Sequence, residues 1–175
     1  LTQTNSYNNY VGALAESWDT NDDKTEWTFH LRDANWVTNT GEVYAPVTAD
    51  DFVTTLQHLA DFNGSNLWIA ASFVEGLSDY VDGNILFDKV GVEAVVDKTV
   101  KFTLTAPTPF FNTIVANNAF WPINREFLES KGDGCKLGDP DPANCGYGVA
   151  TDPSSILYNG AYIIDELVSK SSQKL

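Results

Sequence analysis

The side chains best suited to acid–base chemistry in this 175-residue chain are adjacent carboxylates. Asp22 and Asp23 form one pair, and Asp50 and Asp51 form another. General acid–base catalysis needs groups that reach the same reacting atoms. Adjacent residues on a helix do not face one another, and adjacent turn residues seldom converge. We therefore interpret both pairs as structural.

Ser154 and Ser155 are the candidate nucleophiles, because a serine attacks when a neighbouring base takes its proton. The pair lacks the Gly-x-Ser-x-Gly sequence that holds a serine on a sharp turn between a strand and a helix. Neither His30 nor His58 is a credible base for it. We therefore predict no catalytic residues, and a protein that is not an enzyme.

Two patterns superficially resemble metal sites. Asp19, Asn21 and Asp23 place oxygen donors at alternate positions, as a calcium-binding loop does. Lys24, however, stands where that loop requires glycine, and His30 replaces its bidentate glutamate. Zinc-ligand spacing and the Cys-x-x-Cys pattern are also missing. The segment 19–24 is therefore predicted to be a turn, and we predict no metal and no cofactor.

Cys135 and Cys145 are separated by nine residues in a segment rich in Gly, Pro and Asp. Such a loop can bring the two sulfur atoms together, and closing it would stabilise the fold by about 2–3 kcal/mol through restriction of the unfolded chain. The pair is a disulfide candidate in an oxidising compartment. Two free thiols are the alternative that the residues leave open.

Composition limits the class of protein. Hydrophobic residues make up 43% of the chain and aromatic residues 13%, which is enough for a sizeable core and excludes disorder. The formal net charge of −14 repels nucleic acid and anionic lipid. The acidity fits either simple solubility or a surface that attracts cations.

The helix over residues 48–59 is the element that the sequence predicts most clearly. Thr48 is a suitable N-cap, and Asp50 and Asp51 lie in the first turn, where free N–H groups favour carboxylates. Apolar residues recur with helical spacing at Phe52, Val53, Leu56, Leu59 and Ala60.

Alternating apolar residues predict strands over 27–32 and, as a hairpin, over 90–96 and 100–104. Trp36 and Val37 suit a short strand before a turn at 39–41. Further helices are expected over 67–77, 110–116 and 124–131, and a strand over 161–168 that continues through Ser169 and Lys170. Residues 1–12, 79–88 and 132–151 are expected to be an irregular lead-in, a mixed loop and a long surface loop.

Several motifs together resemble the extracellular solute-binding proteins of ABC importers, in the oligopeptide and dipeptide family. They are LAESW at 14–18, WTFHLR at 27–32, TADDFV at 48–53, TAPTPFF at 105–111, WPIN at 121–124 and DPSSILYNGAY at 152–162. Each motif is weak alone, but their order and spacing are typical of this family. Residues 135–148 depart from its usual pattern.

The resemblance implies an α+β fold, with a mainly antiparallel sheet and packed helices, that forms part of a periplasmic-binding-protein-like receptor of type II. Residues 1–157 would be the lobe inserted in the larger members, and residues 158–175 the truncated start of the return to the ligand-enclosing lobe. The chain would begin downstream of an export signal. It would act as a monomer at the cell surface, lipid-anchored in its full-length form, or in the periplasm of a Gram-negative cell.

The implied partners are an oligopeptide, the membrane permease and its ATPases, and not nucleic acid. Asn159, Gly160 and Tyr162 are candidate ligand-binding residues by their position near the return crossing. An oligosaccharide or another small solute is the alternative cargo, because Trp side chains stack on sugar rings; the chain has Trp18, Trp27, Trp36, Trp68 and Trp121. A surface adhesion or signalling module is a further alternative.

Overall fold

A computed structural model of the chain describes residues 1–168 and 171–175. These residues form two compact units. Unit 1 comprises residues 1–32 and 48–122, and unit 2 comprises residues 33–47 and 123–175. The expected passage of a strand through Ser169 and Lys170 lies outside the described residues. The lobe boundary at residue 157 stays a prediction.

The strands of the described residues are β1 (Thr2–Thr4), β2 (Tyr10–Gly12), β3 (Ala15–Thr20), β4 (Glu26–Leu31), β5 (Asn35–Val37), β6 (Val43–Pro46), β7 (Val92–Val96), β8 (Thr99–Thr103), β9 (Glu166–Val168) and β10 (Ser172–Lys174). The α-helices are α1 (Asp50–Asp61), α2 (Leu67–Phe73), α3 (Leu77–Val81), α4 (Phe111–Ile114) and α5 (Arg125–Glu129). Short 3-10 turns cover Phe87–Lys89, Asn118–Phe120, Asp133–Cys135, Pro142–Asn144 and Pro153–Ser155.

Unit 1 is built on a four-stranded antiparallel sheet in the order β3-β4-β8-β7. In β4 the side chains of Trp27, Phe29 and Leu31 are buried and those between them are not, so the predicted alternation is confirmed. The predicted hairpin is confirmed as β7 and β8. Phe102 of β8 packs edge-on to Phe29, with ring centroids 5.9 Å apart, in a largely aromatic core.

Helix α1 confirms the predicted helix, but its N-terminus is capped differently from the prediction. Thr48 provides no side-chain cap, and Ala49 occupies the N-cap position. The side chain of Asp51 instead bonds back to the chain before the helix, because its Oδ2 accepts the main-chain N–H of Thr48 at 2.9 Å. Phe52 and Leu56 lie on the buried face of α1.

Two other predictions in unit 1 were wrong. Residues 1–12 are not irregular, because β1 pairs with β2 and the Thr2 hydroxyl donates to the carbonyl of Asn112 at 2.7 Å. The single helix expected over 67–77 is divided into α2 and α3, because Val74 is extended and pairs with Leu104 and Gly76 has a φ of 72°. Helix α3 consequently reaches into the segment expected to be a loop.

In unit 2, β5 and β6 form an antiparallel hairpin around the predicted turn at residues 39–41. Helix α5 is shorter than predicted and begins after Asn124, whose side-chain oxygen accepts the N–H of Phe127 at 3.0 Å. The prediction of a strand over 161–168 is wrong for residues 161–165. Only β9 is a strand there, paired with β10.

The loop after α5 is held closed by a disulfide between Cys135 and Cys145, with the two Cα atoms 4.7 Å apart. Cys135 is fully buried, so the segment expected to be a surface loop is partly packed. Gly134 is required here, because a Cβ atom on it would lie 2.2 Å from the carbonyl oxygen of Asp141.

Within the described residues, the helices are all too short or too polar to cross a membrane.

Candidate functional site

The candidate ligand-binding residues Asn159, Gly160 and Tyr162 follow a firmly held residue of unit 2. Tyr158 exchanges two main-chain hydrogen bonds with Val37, at 2.8 and 2.9 Å. Its phenol donates to the carbonyl of Pro153 at 2.7 Å. Burial, followed by the nearby charge of Asp152, raises the pKa of Tyr158. Tyr158 therefore stays neutral and fixes the point from which the backbone continues to Asn159.

The turn before Tyr158 is organised by Asp152 and the two serines that the sequence offered as nucleophiles. The Ser154 N–H and hydroxyl both donate to Asp152 Oδ1, at 2.9 and 2.6 Å, and they lower the pKa of that carboxyl group. The Ser155 hydroxyl lies 2.6 Å from the carbonyl oxygen of Asp152. Both hydroxyls thus stabilise a turn, as Ser and Asp side chains commonly do.

The three candidate residues differ in what they offer. The side-chain Nδ2 of Asn159 is buried and has no acceptor among the described residues. Gly160 faces open space, since a Cβ atom there would meet nothing within 4 Å. The side chain of Tyr162 is 70% exposed. In order along the chain, the segment presents an unsatisfied donor, a gap beside the backbone and an accessible aromatic ring.

Lys131, which follows α5, supports the turn before Tyr158 and was missed at the sequence level. Its Nζ donates to the carbonyl of Ser154 at 2.9 Å and lies 4.2 Å from the ring centroid of Phe127. Tyr44 of β6 packs edge-on to the same ring, with centroids 5.5 Å apart. Burial, with a smaller effect of the Glu126 charge, raises the pKa of Tyr44. No local sequence pattern indicates these contacts.

The two pairs of adjacent carboxylates, Asp22/Asp23 and Asp50/Asp51, lie in different environments. Asp51 is buried at the start of α1, whereas Asp50 is exposed. Asp22 and Asp23 are exposed in the predicted turn, which Asn21 stabilises by accepting the N–H groups of residues 25 and 26 at 2.9 and 3.0 Å. These positions agree with the structural interpretation.

Asp19 has a partner that the sequence did not reveal. Its Oδ2 lies 2.9 Å from His30 Nε2, across the strand pair β3 and β4. The contact depends on the register of the two strands, which fixes whether the side chains share a face. Within the part of the chain that the structure describes, no group of three or more His, Cys, Asp or Glu is arranged to hold a metal ion.

The tryptophans divide into packed and exposed groups. Trp27 and Trp36 are buried, each 4% exposed, and Trp18 is half-buried. Trp68 and Trp121 are 69% and 62% exposed. The first three serve the packing of their units, and the last two add little to it.

Comparison with known proteins gives matches along nearly the whole chain. The family model described as bacterial extracellular solute-binding proteins, family 5 middle, matches residues 9–175. The chain is 42% identical over 174 residues to the oligopeptide-binding protein AliB of Streptococcus pneumoniae, which is 98% of this chain and 25% of AliB. It is 33% identical over 172 residues to the periplasmic murein peptide-binding protein MppA of Escherichia coli, covering 96% and 28%. The chain thus spans about a quarter of the length of the curated relatives it matches.

Solved structures show the same likeness. The substrate-binding domain of an oligopeptide ABC transporter from Bacillus anthracis matches with a TM-score of 0.76 and 29% identity, covering 94% of this chain and 29% of that one. OppA of Haemophilus influenzae, solved in complex with the peptide RPPGFSPFR, matches with a TM-score of 0.76 and 27% identity over 96% and 30%.

Proposed function

The chain belongs to family 5 of the bacterial extracellular solute-binding proteins, and we propose that it forms part of a receptor that captures oligopeptides outside the membrane for an ABC importer. The observation that carries this proposal is the likeness to oligopeptide receptors, which extends over almost the entire chain in sequence and in structure. The same comparisons confirm the family resemblance and the α+β fold class predicted from the sequence.

The role of this part of the receptor is to scaffold the peptide cleft. Residues 1–157 form the lobe that widens the cleft or frames its opening, and residues 158–175 lead back to the ligand-enclosing lobe. The aromatic core of unit 1 and the disulfide of unit 2 support such a role, because each stabilises the fold of its unit. Extended peptides are recognised largely through main-chain hydrogen bonds, which supply affinity without selecting side chains.

Asn159, Gly160 and Tyr162 line the cleft side of the return segment. Asn159 supplies a donor, because its Nδ2 has no acceptor among the described residues and an unsatisfied buried donor costs about 1–3 kcal/mol. Gly160 leaves room for a ligand to approach the backbone. Tyr162 offers an exposed ring against which a peptide side chain packs.

The receptor delivers its cargo to a membrane permease driven by ATPases, and it has no chemistry of its own. It is exported, and a lipid anchor holds its full-length form at the cell surface. The name of one relative, a periplasmic peptide-binding protein, supports the export, as does the family description.

Calorimetry on two forms of the protein tests the proposal. We expect the complete receptor that carries this sequence to bind an uncharged pentapeptide, and the 175-residue chain alone to bind it weakly or not at all. Neither form should bind maltotriose. A receptor that binds the saccharide and not the peptide would overturn the peptide cargo. Micromolar peptide binding by the chain alone would overturn the scaffold role.

Substitution of Tyr162 tests the placement of the cleft residues. In the complete receptor, Tyr162→Ala should weaken binding of the pentapeptide, whereas Tyr7→Ala should not, although Tyr7 is even more exposed, at 83% against 70%. Equal affinities of the two variants would remove Tyr162 from the site.

A further inference from the structure

A groove of about 560 Å³ lies on unit 1 where the end of α1, helix α2 and helix α3 meet. It is open to solvent, and its volume falls within the range of small-ligand sites. Trp68 and Val81 contribute apolar surface to its lining, and Ser65, Ser78 and Asp82 contribute polar groups. The groove lies entirely within one unit and contains none of the residues discussed for the peptide cleft.

Trp68 faces outward on α2, although its neighbours are packed. Leu67 and Ala70 are buried, whereas the Trp68 side chain is 69% exposed. The indole therefore adds little to the core of unit 1. An exposed Trp presents an electron-rich ring face, which attracts cations more strongly than the rings of Tyr or Phe.

The chain around this groove carries an excess of negative charge. Residues 59–88 contain no Lys, Arg or His, and their acidic residues are Asp61, Glu75, Asp79, Asp82 and Asp88. Two of the five are engaged: Asp61 accepts the Tyr80 hydroxyl at 2.5 Å, and Asp88 pairs with Lys89 at 3.0 Å. Asp82 is exposed and lines the groove. An exposed ring face and a carboxylate thus share one concave surface.

We propose that the Trp68–Asp82 groove binds the cationic side chain of an arginine-containing or lysine-containing peptide. The indole face takes the guanidinium or ammonium group by cation–π attraction, and Asp82 neutralises its charge. A neutral saccharide is able to stack on the indole but gains nothing from the unbalanced carboxylates. The net charge of −14 also concentrates cations near the surface.

This inference goes beyond the proposed function, because it concerns a side-chain charge rather than a peptide backbone. Two blocked tripeptides with the same backbone separate the two ideas. They are acetyl-Ala-Arg-Ala-amide and its citrulline analogue, which has the shape of the arginine peptide without its charge. Titrations of the 15N-labelled 175-residue chain, followed by amide and indole NMR shifts, report where each peptide binds.

We expect the arginine peptide to shift the Trp68 indole and the amides of Ser65, Ser78 and Asp82, and the citrulline peptide to leave them in place. Trp68→Leu and Asp82→Asn should each weaken binding of the arginine peptide by about twofold to fivefold. The matched controls are Trp121→Leu, which changes another exposed tryptophan, and Asp79→Asn, which changes an exposed carboxylate of α3 outside the lining. Neither control should change the affinity.

Several results would overturn the proposal. Equal binding of the arginine and citrulline peptides would show that charge is not recognised. Shifts outside the groove, or an affinity insensitive to both groove substitutions, would place the site elsewhere. Binding of chitotriose that depends on Trp68 and not on Asp82 would assign the groove to a saccharide.

Failure of the complete receptor to bind uncharged peptides is a separate result. It would contradict the proposed function and would not contradict the binding of a cationic side chain in this groove.

Discussion

The hydroxyl of Thr55 lies 2.7 Å from the main-chain carbonyl oxygen of Trp121 and donates a hydrogen bond to it. It also lies 2.8 Å from the carbonyl of Asp51, one turn earlier in α1. Thr55 is buried in α1, alongside Phe52 and Leu56. The bond therefore holds the chain that follows the 118–120 turn against the best-packed helix of unit 1.

Replacing Thr55 by valine should destabilise unit 1 by about 1 kcal/mol, because the carbonyl of Trp121 loses its donor while the side-chain volume is kept. Urea denaturation followed by far-UV circular dichroism measures the loss. Thr55→Ser keeps the hydroxyl and removes only a methyl group. The hydrogen bond is unimportant if the serine variant loses as much stability as the valine variant.

Removing the disulfide should destabilise unit 2. The two cysteines are 10 positions apart, so closing their loop restricts the unfolded chain by about 3 kcal/mol in the chain-entropy model. We expect Cys135→Ala/Cys145→Ala to lower the free energy of unfolding of unit 2 by roughly that amount. Hydrogen exchange of α5 and the amides of residues 132–147 gives the local measurement.

The matched control for the disulfide is the wild-type chain with a reducing agent, which breaks the bond and keeps both sulfur atoms. Its hydrogen exchange should increase in the same residues as in the double variant. Exchange in the sheet β3-β4-β8-β7 should change in neither case, because that sheet belongs to unit 1. An unchanged exchange rate over residues 132–147 would contradict the prediction.

His58 should make unit 1 less stable in mild acid. Burial lowers the pKa of His58 below its usual value of 6.5, and the charge of Asp61 partly opposes the effect. The folded chain therefore binds a proton at His58 more weakly than the unfolded chain does. This contribution to stability is present above pH 6.5 and is lost as the pH falls through 6.5 toward the lowered folded value.

Urea denaturation between pH 7.5 and 5.5 tests the effect of His58. We expect the free energy of unfolding to fall less steeply in His58→Phe, which keeps the ring stacked on Phe62 at a centroid distance of 4.6 Å. The control is His30→Gln, which removes the exposed contact between His30 and Asp19. In this variant the free energy of unfolding should still fall with pH through the contribution of His58. If the free energy of unfolding falls equally steeply with pH in the wild type and in His58→Phe, the predicted role of His58 is wrong.

Local periodicity explains why much of the sheet was predicted correctly. The alternation of Trp27, Phe29 and Leu31 reports the face of a strand directly, because successive side chains point to opposite sides. The strand at Thr2–Thr4 carries no such signal, since its residues are polar and it is held by a partner strand and by Asn112. Contacts between residues distant in sequence leave no periodic trace.

The candidate site stays a prediction. The motif at 152–162 and the family resemblance place Asn159, Gly160 and Tyr162 near the return crossing, but they indicate nothing of the local geometry. The support from Lys131 and the exposure of Tyr162 depend on how β5, α5 and the intervening turn pack, which the motif does not encode. Trp68 illustrates the same limit, because the sequence does not indicate that Leu67 and Ala70 of α2 are buried while Trp68 is exposed.

The start of α1 provides a direct contrast between sequence and structure. A Thr N-cap normally contributes about 1 kcal/mol, so the sequence predicts that Thr48→Ala destabilises the helix. In the structure the side-chain bond at this end of α1 is the one that Asp51 Oδ2 accepts from the N–H of residue 48, and Thr48→Ala retains that N–H group. We therefore expect Thr48→Ala to cost less than about 0.5 kcal/mol and Asp51→Ala to cost about 1–2 kcal/mol. Thermal unfolding of the two variants measures both losses. A larger loss of stability for Thr48→Ala than for Asp51→Ala would show that the Thr48 side chain caps the helix.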